Sequence, residues 1–146
     1  MSKSPAVKRT SAVLASAALA AGLTTAGLAP VAAADPKFVS NADGSVRCAL
    51  YNGETLCVSD RARKSQPQCN PAGQLIPAVS IQRNWAGTKC WNQGFEQPPM
   101  HLQPLQIHTY GSRVVIPDFT GDLYVIDFMK PAVIRAGGVN SVLFSL

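Results

Sequence analysis

Trp85, Trp91 and Phe95 lie among Asn84, Asn92, Gln93, Glu96 and Gln97. Aromatic faces beside planar amides can stack on a sugar ring and hydrogen-bond its hydroxyls. The same two tryptophans can instead cover a small core beside a disulfide, the commoner use in a domain of this size. Arg61, Arg63 and Lys64 form a basic cluster that could attract a teichoic acid, an anionic lipid head group or an acidic partner, although each cation on a solvated loop contributes only ~1 kcal/mol. His101 and His108, with Asp118, Asp122 and Asp127 downstream, are the only residues that could assemble a metal or acid–base site. Two histidines seven apart match no ligand spacing with a mechanism, and aspartates interspersed with turn residues read as solvated carboxylates. No metal centre is expected.

Catalysis by a nucleophile is equally poorly supplied. The chain has no Gly-x-Ser-x-Gly elbow and no Ser-x-x-Lys, and its four cysteines form an even set with no lone thiol. Glycan hydrolysis needs two carboxylates held ~5 to 10 Å apart, and only Glu54, Glu96 and scattered aspartates are available. No cofactor motif is present, so the expectation is a non-enzymatic protein.

The elements that must position these side chains begin after a leader. Residues 1–34 run from a cationic start (Lys3, Lys8, Arg9) through an apolar stretch, Ala12 to Leu28, to the small-residue end Val31-Ala32-Ala33-Ala34. That order is a secretory signal peptide, cut after Ala34 to leave Asp35 first, with the cut after Ala33 as the alternative. A run so rich in Ala and Gly is weakly apolar for spanning ~30 Å of hydrocarbon, so no membrane span is expected after cleavage. Lys8-Arg9 is not a twin arginine, which favours general secretion. The leader holds three of the chain's 13 cations and none of its 8 carboxylates, leaving a mature charge near +2. This is too little clustered charge for nucleic-acid binding, which draws its affinity from several cations per site.

Past the leader, nine prolines (36, 67, 71, 77, 98, 99, 104, 117 and 131) exclude long helices. Short runs rich in Val, Ile, Phe and Tyr between them predict strands at Ser45–Tyr51, Glu54–Ser59, Leu75–Gln82, Leu105–Tyr110, Arg113–Ile116, Leu123–Met129, Ala132–Ala136 and Val139–Ser145. The reading is one all-β domain over 45–146, a small antiparallel β-sandwich or partly open barrel with two disulfides and a C-terminal meander, preceded by an N-terminal extension at 35–44. Gly111-Ser112 and Gly137-Gly138 each suit a two-residue hairpin turn. The first sets Ile107 and Thr109 opposite Ile116 and Val114 on one face, taken as the core face, and His108 and Tyr110 opposite Val115 and Arg113 on the other.

Register also selects the disulfides. Asn52-Gly53 is a strong signal for a type I′ turn, in which both residues need φ > 0. A two-residue turn there places Cys48 opposite Cys57 in a non-hydrogen-bonded pair, where Cα atoms approach to ~4.5 Å, within disulfide range. Cys69 then pairs with Cys90, closing a 22-residue loop and restricting the unfolded chain by about 3 kcal/mol in the chain-entropy model. A one-residue slip would instead send each hairpin cysteine to a middle one.

With the leader, the Cys48-x3-Asn52-Gly53-x3-Cys57 hairpin, the Pro-rich loop holding Cys69-Asn-Pro-Ala-Gly73 and the Tyr110-Gly111 turn into a valine strand, the chain resembles small secreted proteins of unknown function common in mycolic-acid-containing actinobacteria. Members often carry a further C-terminal cysteine pair, which this chain lacks. The resemblance implies an exported or envelope-associated protein and transfers no catalytic residue. The functional expectation is a monomeric binding or interaction module at the cell envelope, its partner a cell-wall glycan or an envelope protein. The rivals are a secreted protease inhibitor, acting through Gln66–Pro71 or Lys89–Phe95, and, behind it, an envelope-glycan-acting enzyme.

Overall fold

The computed structural model describes residues 36–146, and the leader at 1–34 lies outside them. Eleven strands form two open sheets packed face to face, so the architecture is a sandwich and not a barrel. The first sheet holds β1 (Phe38–Ser40), β2 (Val46–Leu50), β3 (Glu54–Ser59), β4 (Ile76–Gln82), β5 (Trp85–Trp91) and β6 (Met100–His101), in the order β5-β4-β3-β2-β1-β6. The second is the expected five-stranded meander of β7 (His108–Tyr110), β8 (Arg113–Pro117), β9 (Leu123–Asp127), β10 (Ala132–Ala136) and β11 (Ser141–Ser145). Because β5 and β6 occupy opposite edges of the first sheet, the chain between them must cross that sheet. Phe95, in this crossing, packs on Phe38 with ring centroids 5.6 Å apart.

Both disulfides have the expected connectivity. Cys48 faces Cys57 across the β2–β3 ladder with Cα atoms 4.0 Å apart, and Cys69 joins Cys90 at 5.3 Å. The first bridge sits at the centre of the main core, among Val39, Val46, Leu50, Val79 and Ile81 from one sheet and Val115, Leu123, Val125 and Ile134 from the other. A second apolar layer covers the outer face of the first sheet, where Leu56, Val58 and Ala78 lie under Tyr51, Ile76, Trp91 and Phe95.

Several local expectations are overturned. Residues 35–44 are not merely an extension, since Phe38–Ser40 is a buried strand that pairs antiparallel with β2 and parallel with β6. Trp85–Trp91, absent from the predicted strands, is a full partner of β4, and its polar residues are accommodated because β5 is an edge strand. Asn52 and Gly53 hold the predicted register without positive φ. Tertiary bonds shape that turn: Arg113 Nη1 donates to Tyr51 O at 2.6 Å and Lys130 Nζ to Gly53 O at 3.0 Å.

In the β7–β8 hairpin the register is as expected, with His108 opposite Val115 and Tyr110 opposite Arg113, but the core face is the other one. Ile107 is 62% exposed whereas Val115 is fully buried and His108 and Arg113 are 7% and 8% exposed. The two polar side chains are buried because each finds backbone partners. His108 Nε2 bonds Pro36 O at 2.8 Å, and the Arg113 guanidinium caps the carbonyls of Leu50, Tyr51 and Glu54 and the Thr55 hydroxyl. The strand also starts late, because Leu105 adopts φ 64°, a left-handed conformation that no extended strand can include. The Gly137-Gly138 turn is longer than two residues, since the ladder resumes at Arg135 opposite Ser141. A Cβ at Gly137 would collide with the Asp122 carboxylate, so this glycine is needed for close approach.

Candidate functional site

The sandwich has two dissimilar ends. At one, the β1–β2, β8–β9 and β10–β11 connections surround Asp122, which is almost wholly buried and lies 3.1 Å from Arg61 Nη1 and 2.6 Å from Arg135 Nη2. Gly138 N donates to the same carboxylate. Around it Asn41 Nδ2 donates to Gly121 O, Ser59 Oγ to Gly137 O, and Asn140 Nδ2 to Gln66 Oε1. Arg63 donates to the carbonyls of Cys69, Ala72 and Leu75, holding the 60–75 loop from within. The basic cluster is thus divided: Arg61, although exposed, is ion-paired to Asp122, Arg63 is bound to loop carbonyls, and Lys64 is exposed. Asp122 and Asp127 are likewise buried, not the solvated carboxylates their turn-rich context implies.

At the opposite end, a cleft of about 780 Å³ lies between the sheets, bordered by the Arg83–Asn84 turn, the Phe128–Lys130 turn and the end of β11, with the Tyr51–Glu54 and Gly111–Ser112 turns hydrogen-bonded to this end through Lys130 and Asp127. Its lining combines an apolar interior from Ile81, Ala86 and Ala132 with the β4–β5 turn (Gln82 to Trp85), Met129 to Pro131, and Ser145 and Leu146 at the end of β11. That volume is within the range of small-ligand sites, roughly 300–1,000 Å³. Four large apolar side chains are exposed at this end: Trp85 at 46%, Phe128 at 67%, Met129 at 77% and Leu146 at 90%.

These turns are rigidly held from behind. Asp127, buried at the end of β9, accepts from Ser112 Oγ and from the backbone N–H groups of Met129 and Lys130 at 2.9 and 3.1 Å. An Asx turn of this kind fixes the Phe128–Lys130 backbone while leaving its side chains outward. Trp85 is placed by Gly87: the indole lies where a Cβ would stand, 2.6 Å from Cζ2, so only glycine at that position lets the ring rest on the strand. Glu54 closes the neighbouring surface by accepting from Lys89 Nζ at 2.7 Å, Ser80 Oγ at 2.6 Å and Gln82 Nε2 at 3.2 Å. Burial alone would push the Glu54 carboxyl up, but these hydrogen bonds outweigh it and hold its pKa below the ordinary carboxylate value.

The aromatic–amide group anticipated around β5 therefore divides. Trp85 and Trp91 share a face of one strand but stand six residues, about 20 Å, apart. Trp91 and Phe95 belong to the outer apolar layer, and the enclosed Trp91 Nε1 has no hydrogen-bond partner among the described residues, so its polar atom faces protein. Asn92 and Gln93 are exposed near Trp91, away from the cleft. Met129 and Lys130 join Trp85 only through the fold, and a turn between two strands, Phe-Met-Lys, is the sequence signal that could have found them.

The histidines do not meet. His101 Nδ1 lies 2.8 Å from Ser40 Oγ, a pairing with no sequence signal. That serine is fully buried and donates to Asn41 O, so the imidazole N–H donates to it, and the hydroxyl is oriented as structure, not activated for attack. Among the described residues no three His, Cys, Asp or Glu side chains stand close enough to hold a metal ion. Of the two inhibitor-loop candidates, Lys89–Trp91 is strand, and Gln66 and Cys69 are buried and tied to β5 through Lys89 O and Cys90. The two disulfides fit an oxidising compartment, and among the described residues no helix is long and apolar enough to cross a membrane. No protein-family model matches the chain, and no curated protein or solved structure is similar to it.

Proposed function

We propose that the chain is an exported, non-enzymatic binding module of the cell envelope that makes contact through the cleft end of its sandwich. The observation that carries this reading is the combination, on turns locked by Asp127 and Arg113, of exposed Trp85, Phe128 and Met129 with the cations Arg83 and Lys130 at one end of the sandwich. A fold that invests buried hydrogen bonds in holding large apolar side chains toward solvent has a surface prepared for a partner.

Retention of the purified chain on isolated cell envelope tests the assignment. Trp85→Ala is expected to abolish retention while changing stability by no more than ~1 kcal/mol, because half the indole is already in water. Trp91→Ala, which opens the outer apolar layer, is expected to lower stability by about 2–3 kcal/mol and to keep retention wherever the chain remains folded. A Trp85→Ala chain retained like the parent would remove the cleft end from consideration.

A further inference from the structure

The two cations at the cleft have no ion-pair partner among the described residues. Five ion pairs occur among the described residues, and none includes Arg83 or Lys130. No carboxylate side chain lines the cleft. Of the carboxylates at this end, Glu54 is committed to Lys89 and Asp127 to the turn backbone. Lys130 spends one ammonium proton on Gly53 O and keeps two for an anion.

The apolar side chains have a direction as well as a chemistry. Phe128, 67% exposed at the tip of the β9–β10 turn, does not line the cleft and adjoins Met129, 77% exposed, which does. A small ligand held in the cleft would leave Phe128 in water. A sugar polymer would use the indole of Trp85 but gains little from a methionine thioether, which has no flat face to stack on a ring. An interface with an apolar depth and an anionic surface satisfies all five residues together, since aromatic and aliphatic side chains enter the acyl boundary while Arg and Lys remain at the phosphates.

Resting on the functional reading above, we propose that the cleft end docks on an anionic lipid bilayer, with Phe128 and Met129 inserted at the head-group boundary, Trp85 at the interface and Arg83 and Lys130 on lipid phosphates.

Co-sedimentation of the purified chain with phosphatidylglycerol–phosphatidylcholine vesicles, against phosphatidylcholine alone, reads the proposal directly. All chains are identical outside the substituted positions, so any difference reports the cleft end. Phe128→Ser with Met129→Ser is expected to weaken binding more than tenfold. Arg83→Gln and Lys130→Gln should each weaken it about fivefold and reduce its salt sensitivity, from ~1 kcal/mol per cation at an anionic surface. Val139→Ser, removing an exposed apolar side chain at the ion-paired end, should leave binding unchanged. In a Trp91→Phe background Trp85 is the sole tryptophan, and its emission should shift to the blue on addition of anionic vesicles.

Equal binding to neutral vesicles, indifference to the Phe128/Met129 double substitution, or an unshifted Trp85 spectrum overturns the proposal. Retention on isolated wall polysaccharide or on an envelope protein with no vesicle binding removes the lipid assignment and leaves the module reading intact. No binding to vesicles and none to whole envelope removes both.

Discussion

The two ends of this sandwich handle charge in opposite ways. At the ion-paired end, Asp122 is buried between Arg61 and Arg135, and Asn41, Gln66, Ser59 and Asn140 satisfy one another and nearby carbonyls. Polar chemistry there is turned inward and consumed. At the cleft end, buried Asp127 and Arg113 bind only backbone and a serine or threonine hydroxyl, while Arg83, Lys130, Trp85, Phe128 and Met129 face outward. The contrast separates residues that hold the fold from residues left for a partner, a distinction that residue type does not provide. Arg61 and Arg83 are the same amino acid with opposite roles, decided by whether a buried carboxylate lies within reach.

The largest effect on this contrast should come from Asp122→Asn. Loss of the buried carboxylate leaves two guanidinium groups facing each other with no anion. Because both are about a third exposed and can turn to solvent, the cost is expected near the lower end for a broken buried pair, about 3 kcal/mol, read from urea denaturation. Vesicle and envelope binding by the folded fraction should be unchanged. An Asp122→Asn chain of parental stability would mean that the ion-paired end is no more structural than its counterpart.

Arg113→Met is expected to cost about 2 kcal/mol, because it strands the carbonyls of Leu50 and Tyr51 and the Thr55 hydroxyl without a donor. This site is at the cleft end but points inward, so it sharpens the comparison. Stability should fall here as at the opposite end, in contrast to the Phe128/Met129 double substitution, whose exposed side chains contribute little to folding.

The smallest effect distinguishes the ends by acid. Glu54 at the cleft end and Asp118 at the other both have lowered pKa values. Burial pushes the Asp118 carboxyl up, and is outweighed by bonds from the Thr120 hydroxyl and the backbone N–H groups of Asp122, Thr120 and Gly121. A carboxylate whose pKa is lower folded than unfolded contributes stability above its unfolded value, 4.5 for Glu and 3.8 for Asp, and loses it as pH falls through the folded one. Stability should therefore decline below about pH 4.5, and Glu54→Gln and Asp118→Asn should each flatten that decline. Unchanged acid limbs in both variants would show that neither network favours the ionised form.

Much of the fold was legible because it is local or periodic. Alternating β-branched residues between prolines placed eight of the eleven strands to within two or three residues, and Asn52-Gly53 placed Cys48 opposite Cys57 even though the turn is not of the predicted type. Register survives a wrong turn type because it depends on the two-residue length and on the ladder, whereas the turn's dihedrals yield to Arg113 and Lys130 arriving from elsewhere in the chain. Facing was less secure. Counting isoleucines chose the wrong side of β7–β8, since a histidine and an arginine are buried more cheaply where backbone carbonyls await them than composition suggests.

By itself, then, the sequence determined the all-β class, the C-terminal meander and both cysteine pairs. Periodicity, proline and turn residues act over a few positions and need no knowledge of what packs where. Tertiary structure alone decided that Phe38–Ser40 is a sheet strand, that Arg61 and Arg63 are committed to partners within the fold, and that Trp85 shares a cleft with Met129 and Lys130. The physical reason is the same in each case: a side chain's role depends on which charge, carbonyl or apolar surface meets it, and those partners come from positions more than ten, and often forty or more, residues away.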